Sequence, residues 1–161
     1  MNDFLSKDEC FRLLEKYGSP LYVYDEETIR KRSREMAGLL SDKHFKVDYS
    51  VKANTNIELL KIIKEEGLHV DAMSLGELAS NKKAGFKSDE IIYVCNNISS
   101  SEMKEVIKEH VLISVDSISQ LETYGKINPN GEVMIRFNPG VGAGHHEKVI
   151  TGGHKTKFHH F

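Results

Sequence analysis

The chain has 161 residues, and its 22 lysines and arginines against 24 aspartates and glutamates give a formal net charge of −2 at pH 7. This near balance excludes a strongly basic nucleic-acid-binding chain, so we expect no nucleic-acid partner. The 39% hydrophobic and 29% charged residues are typical of a globular protein, and no run approaches the roughly 18 apolar residues of a membrane span.

The predicted elements begin with two amphipathic helices, over 7–17 and 26–40, on either side of a strand-like segment, Leu21–Tyr24. Five short runs rich in β-branched residues follow at steps of 21 to 23 residues, and each gap contains one helical pattern. These runs are 46–51, 69–72, 91–95, 111–115 and 133–137. The repeat predicts a parallel sheet with helical crossovers, and therefore an α/β fold.

Polar cap residues mark the starts of the predicted helices between these strands. They are Asn56, Ser74, Ser99 and Ser117. Glu77 follows Ser74 by three residues, as in a capping box. Gly125 is expected to end the last of these helices, directly after Tyr124.

Two α/β architectures have such a repeat. An open doubly wound sheet usually has a glycine-rich phosphate turn after its first strand, but 52–56 contains no glycine. In a (β/α)8 barrel the functional residues follow the C-terminal ends of the strands. The polar residues at those positions here are Lys52, Asp71, Asn96, Asn97, Asp116, Arg136 and Asn138. We therefore predict a partial (β/α)8 barrel of about five βα units, since a complete barrel needs about 250 residues.

Lys52 is the candidate catalytic residue, because it follows the first strand at the catalytic end of the predicted barrel. Most lysines are ordinary solvated surface residues. A partly desolvated lysine at such a position can instead act as an amine nucleophile toward a carbonyl. Pyridoxal phosphate is the commonest cofactor that lysine binds in this way.

Six segments agree in order and spacing with a known family. They are 18–25, 49–54, 70–78, 115–117, 136–141 and 145–158. The sequence resembles the fold-type III pyridoxal-phosphate decarboxylases, which share an alanine-racemase-like barrel, and among them the diaminopimelate decarboxylases. The resemblance implies a carboxy-lyase that uses pyridoxal phosphate, takes a small amino acid, meso-diaminopimelate, and releases L-lysine and CO₂. It also implies a homodimer.

The same resemblance implies roles for four residues. Lys52 would bond the cofactor, while Asp71, Arg136 and His146, or His145 beside it, would lie around the cofactor. Asp71 and Asp116 could instead cap the helices that follow them, and Arg136 could anchor a loop through a carboxylate. The segment 95–98 departs from the family, which often has glycine at position 95 and lysine at position 98. The histidines near the C-terminus match no regular zinc spacing, so no metal is expected.

The sequence also predicts a domain organisation and a compartment. We expect 1–25 to be a helix and a strand that pack on a β-domain absent from this sequence, and 26–161 to be a truncated cofactor-binding barrel, inactive alone, that lacks the C-terminal barrel half. Two cysteines without a paired spacing, and no secretory pattern, predict a cytoplasmic protein. The alternatives are another fold-type III decarboxylase, acting on ornithine, arginine or carboxynorspermidine, or a non-catalytic fragment that binds pyridoxal phosphate.

Overall fold

The structure is a computed structural model that describes residues 4–40, 44–138, 141, 142 and 150. The helices of this part are α1 Lys7–Tyr17, α2 Glu26–Ala37, α3 Ile57–Glu65, α4 Leu75–Lys83, α5 Ser100–Lys108 and α6 Ile118–Ile127. The strands are β1 Asp48–Tyr49, β2 His69–Ala72, β3 Ile91–Val94, β4 Leu112–Val115 and β5 Val133–Ile135. Two short 3-10 helices cover Val51–Ala53 and Ser88–Glu90. None of the helices described is long and apolar enough to cross a membrane.

The five strands form one parallel sheet in the order β1-β2-β3-β4-β5, so each strand pairs with the next one along the chain. Val70 lies opposite Ile91, and Ile113 lies opposite Val133. From β1 to β5, each connection between neighbouring strands contains one of the helices α3 to α6. This arrangement confirms the predicted α/β class and the repeat of strand and helix.

Alternation along the strands places the core on one face of the sheet. The side chains that β2, β3 and β4 turn to this face are at most 1% exposed, and they are Val70, Ala72, Ile91, Tyr93, Ile113 and Val115. Leu60 of α3, Leu78 of α4 and Met103 of α5 belong to the same buried cluster. Burial of these apolar side chains is the main driving force for this fold.

The N-terminal part of the chain contributes little to that core. No residue of α1 is buried, and Phe11 and Tyr17 are about 60% exposed. The strand predicted over Leu21–Tyr24 is wrong, since this segment, which the structure describes in full, forms neither strand nor helix. A strand needs a hydrogen-bonded neighbour, and within the described ranges the five strands of the sheet pair with one another.

Several predicted boundaries also change. α2 ends at Ala37, with Gly38 as its C-cap, rather than at residue 40. The first strand is only two residues long, because the chain bends into a 3-10 helix at Val51. α6 continues through Gly125 to Ile127, and its last turn is closed by the N–H of Asn128, which donates to the carbonyl of Tyr124 at 2.7 Å.

Candidate active site

Lys52 lies in the 3-10 helix Val51–Ala53, directly beyond the end of β1. The N–H of Ala53 donates to the carbonyl of Ser50, and the N–H of Asn54 donates to the carbonyl of Val51, each at 3.0 Å. Val51 is fully buried, whereas Lys52 is exposed. Lys52 is therefore more exposed than the predicted partial desolvation, and its neighbour Val51 is the residue of this turn that belongs to the core.

Asp71, at the end of β2, contacts this turn. Its carboxylate accepts hydrogen bonds from the Ser50 hydroxyl at 2.7 Å and from the Val51 N–H at 3.0 Å. The cap of the following helix α4 is Ser74, whose hydroxyl accepts the N–H of Glu77 at 3.2 Å. Asp71 thus holds the two residues that precede Lys52 and does not cap the next helix.

A second polar group lies at the same ends of β3 and β4. Asn96 Nδ2 donates to the Asp116 carboxylate at 2.6 Å. Gln120 Nε2 donates to the carbonyl of Asn96 at 2.7 Å, and Gln120 Oε1 accepts the N–H of Asp116 at 3.0 Å. Ser117 caps α6, so Asp116 does not serve as the cap. Gln120 was not among the predicted residues. Its position four residues after Asp116 could have indicated it, because side chains at this spacing in a helix can contact the residue before the cap.

The remaining predicted site residues have different outcomes. Arg136 follows β5, is half-buried, and its N–H donates to the carbonyl of Val115 at 2.8 Å, so its backbone extends the pairing of β4 with β5. His145 and His146 lie outside the described residues. Ile98, where the resembling family often has lysine, is 8% exposed and belongs to the core.

Two titratable groups near this edge keep their protons at neutral pH. Burial raises the pKa of the Tyr49 hydroxyl, and the nearby Tyr24 adds to the shift. Burial also raises the pKa of the Cys95 thiol, just beyond β3.

Asn54 Nδ2 donates to the Tyr24 hydroxyl at 2.8 Å, which links the N-terminal segment to the residue after the 3-10 helix that contains Lys52. The described residues contain no group of three His, Cys, Asp or Glu side chains suited to a metal ion.

A cavity of about 740 Å³ lies at the opposite, amino-terminal edge of the sheet. Asp48, His69 and Leu112 line it at or near the starts of their strands. The candidate site is at the carboxyl edge instead, because Lys52 and the hydrogen-bonded residues beside it lie there.

Comparison with known families gives a match over most of the chain. The pyridoxal-binding domain of pyridoxal-dependent decarboxylases matches residues 26–160. The diaminopimelate decarboxylase of Methanothermobacter thermautotrophicus is 43% identical over 153 residues, which are 93% of this chain and 36% of that protein. The diaminopimelate decarboxylase of Escherichia coli K12 is 33% identical over 158 residues, which are 95% of this chain and 36% of that protein. The chain thus spans about a third of the length of these curated relatives.

Solved structures show the same similarity. The diaminopimelate decarboxylase of Helicobacter pylori, in complex with L-lysine, superposes with a TM-score of 0.83 at 25% identity, over 94% of this chain and 40% of that one. A lysine/ornithine decarboxylase of Vibrio vulnificus gives a TM-score of 0.71 at 20% identity, over 83% and 37% of the two chains, and this likeness concerns the fold alone. Together with the parallel sheet, these matches confirm a partial barrel.

Proposed function

The chain belongs to the pyridoxal-dependent decarboxylase family. From this premise we propose that it provides the part of a diaminopimelate decarboxylase active site that contains the cofactor-bonding lysine, Lys52. The proposed reaction is the conversion of meso-diaminopimelate to L-lysine and CO₂. The single observation that supports it most is the turn at Val51–Ala53, in which the exposed Lys52 follows two residues, Ser50 and Val51, that hydrogen-bond to Asp71. The names of the relatives favour diaminopimelate over other amino acids.

The residues present fit the aldehyde end of pyridoxal phosphate, the cofactor of the family. An aldehyde of this kind needs a primary amine, and the Lys52 side chain is exposed while the backbone before it is held. When bound, pyridoxal phosphate supplies an electron sink for the negative charge left on the α-carbon as a carboxylate departs. Lys52 Nζ is then suited to hold and return a proton beside that carbon.

We assign the other site residues to supporting parts of this reaction. Asp71 orients the Lys52 turn through its contacts with Ser50 and Val51. Arg136 and His146 are proposed to lie around the cofactor, since they match the positions that do so in the resembling family. Arg136 has a suitable place for this, one residue beyond β5 and at the same edge of the sheet as Lys52.

The assembly and location of the protein follow as parts of the same proposal. The exposed apolar side chains of α1 support the proposal that 1–25 packs on a further domain, with 26–161 as the cofactor-binding domain. A homodimer is proposed from the resemblance alone. Both cysteines are free, as expected for a protein in the reducing cytoplasm, and the balanced charge gives no reason to propose a nucleic-acid partner.

Reductive labelling tests the proposed role of Lys52. The purified chain is incubated with pyridoxal phosphate, reduced with borohydride and mapped by peptide mass spectrometry. We expect label at Lys52 several-fold above the other lysines, and loss of that label in Lys52→Ala. The matched control is Lys104→Ala, which removes an exposed lysine of α5 and leaves labelling at Lys52 unchanged. Label spread evenly over the lysines would contradict the proposal.

A further inference from the structure

One buried polar side chain of α4 is not explained by packing alone. Asn81 has no exposed surface, and its Oδ1 atom has no hydrogen-bond partner among the residues that the structure describes. A buried acceptor without a hydrogen bond destabilises a fold, and an apolar side chain of similar volume avoids this cost. Asn81 is therefore a candidate for a role beyond filling space.

The other half of the same amide makes a directed contact. Asn81 Nδ2 donates a hydrogen bond to the backbone carbonyl of Asp71 at 2.9 Å. The carboxylate of Asp71 in turn accepts from Ser50 and from the N–H of Val51. Asn81 thus contacts the residue that holds the turn in which Lys52 lies.

Hydrogen bonds hold both ends of α4, the helix that contains Asn81. At its start, the Glu77 carboxylate accepts the N–H of Met73 at 2.7 Å, in addition to the Ser74 cap. Beyond its last residue, the N–H of Phe86 donates to the Asn81 carbonyl at 3.1 Å. The amide of Asn81 therefore joins a well-held helix to the carboxyl end of β2.

We propose that Asn81 is a positioning residue for Lys52, because its hydrogen bond to the Asp71 carbonyl orients the Asp71 carboxylate toward the Lys52 turn. This inference rests on the proposed function, in which Lys52 bonds the cofactor. Leucine at position 81 has the same number of side-chain heavy atoms and the same branching as asparagine but donates no hydrogen bond, so it removes the contact without leaving a cavity, while its methyl groups need more room. Alanine removes the same contact without adding bulk, so an effect shared by the two variants reports the lost hydrogen bond and not a change in packing.

Residue-resolved amide hydrogen exchange on the purified wild-type chain and on Asn81→Leu is the first test. The reporter is the N–H of Val51, which donates to Asp71, and the reference is the N–H of Leu121, which donates to the Ser117 carbonyl at 3.0 Å in α6. We expect exchange at Val51 to accelerate by roughly fivefold or more, with Leu121 unchanged. No acceleration at Val51, or an equal acceleration at both amides, overturns the inference.

Two further variants keep the test decisive. Ser33→Ala removes a different buried polar side chain, in α2, and is expected to leave exchange at Val51 unchanged. Asn81→Ala removes the same donor without the bulk of leucine, and it replaces Asn81→Leu if that variant does not fold. The same acceleration at Val51 is expected in Asn81→Ala.

Labelling with pyridoxal phosphate and borohydride on the same variants separates this inference from the proposed function. Selective label at Lys52 in the wild type, reduced several-fold in Asn81→Leu, supports both. Selective label that is equal in the two chains overturns the positioning role of Asn81. If even the wild type shows no selectivity, the proposed function fails, while exchange at Val51 still decides whether Asn81 orients the turn.

Discussion

α1 and α4 are both begun by a serine cap, but they differ in what they bury. In α1, Ser6 and Glu9 form a complete capping box, with the Glu9 carboxylate accepting the Ser6 N–H at 2.8 Å, yet no residue of the helix is buried. α4 is two residues shorter and buries Leu78 and Asn81 against the sheet. The difference shows that local signals decide where a helix forms, whereas packing decides how much it stabilises the molecule.

The largest difference in stability is expected between substitutions of two leucines, one in a helix that packs on the sheet and one in α1. Leu60 of α3 is fully buried, whereas Leu14 of α1 is 40% exposed. We expect Leu60→Ala to lower the free energy of unfolding by about 2–5 kcal/mol, and Leu14→Ala to change it by no more than about 0.5 kcal/mol. Denaturant unfolding followed by circular dichroism measures both values. Equal losses would show that α1 belongs to the cooperative core after all.

The caps of α1 and α6 allow a smaller and more closely matched test. Ser6 Oγ accepts the N–H of Glu9, and Ser117 Oγ accepts the N–H of Gln120, each at 3.3 Å. We expect Ser117→Ala to cost about 1 kcal/mol of global stability, because α6 packs on the sheet through Tyr124. Ser6→Ala is expected to speed amide exchange only within α1. A shift of the unfolding midpoint by Ser6→Ala would show that α1 contributes to global stability, contrary to this expectation.

The two cysteines are expected to differ in reactivity in the same direction. Cys10 of α1 is exposed, whereas Cys95 beyond β3 is half-buried, and burial raises the pKa of its thiol. A raised pKa means less thiolate at neutral pH, so we expect iodoacetamide to alkylate Cys95 roughly fivefold more slowly than Cys10 at pH 7. The gap is expected to narrow as pH rises and the Cys95 thiol ionises. Mass spectrometry of peptides from timed reactions measures both rates, and equal rates at pH 7 would contradict the prediction.

Much of the secondary structure could be predicted because its signals are local. The bounds of α1 and the caps Ser74, Ser99 and Ser117 are as expected from nearby residues alone. The strand expected over Leu21–Tyr24 could not be judged in this way, because apolar residues indicate a strand only where a neighbouring strand is free to pair.

The candidate site was predictable in outline and not in its contacts. Positions at or just after the carboxyl ends of the strands were enough to single out Lys52 and Asp71. The hydrogen bonds of Asp71 to Ser50 and Val51 cross about 20 residues of sequence and depend on the register of β1 with β2. From the sequence alone, Asn81 does not differ from the other polar residues of its helix. Its burial beneath Asp71 is visible only in the three-dimensional structure.

The strictly sequential order of the strands has a consequence for synthesis on the ribosome. Each strand pairs with one that precedes it by only about 20 residues, as Asp48 with His69 and Ile113 with Val133. Short sequence separations of this kind make the loop-closure entropy of each pairing small. Every new βα unit emerging from the exit tunnel therefore meets a sheet edge that is already present, so the domain can be assembled in the direction of translation.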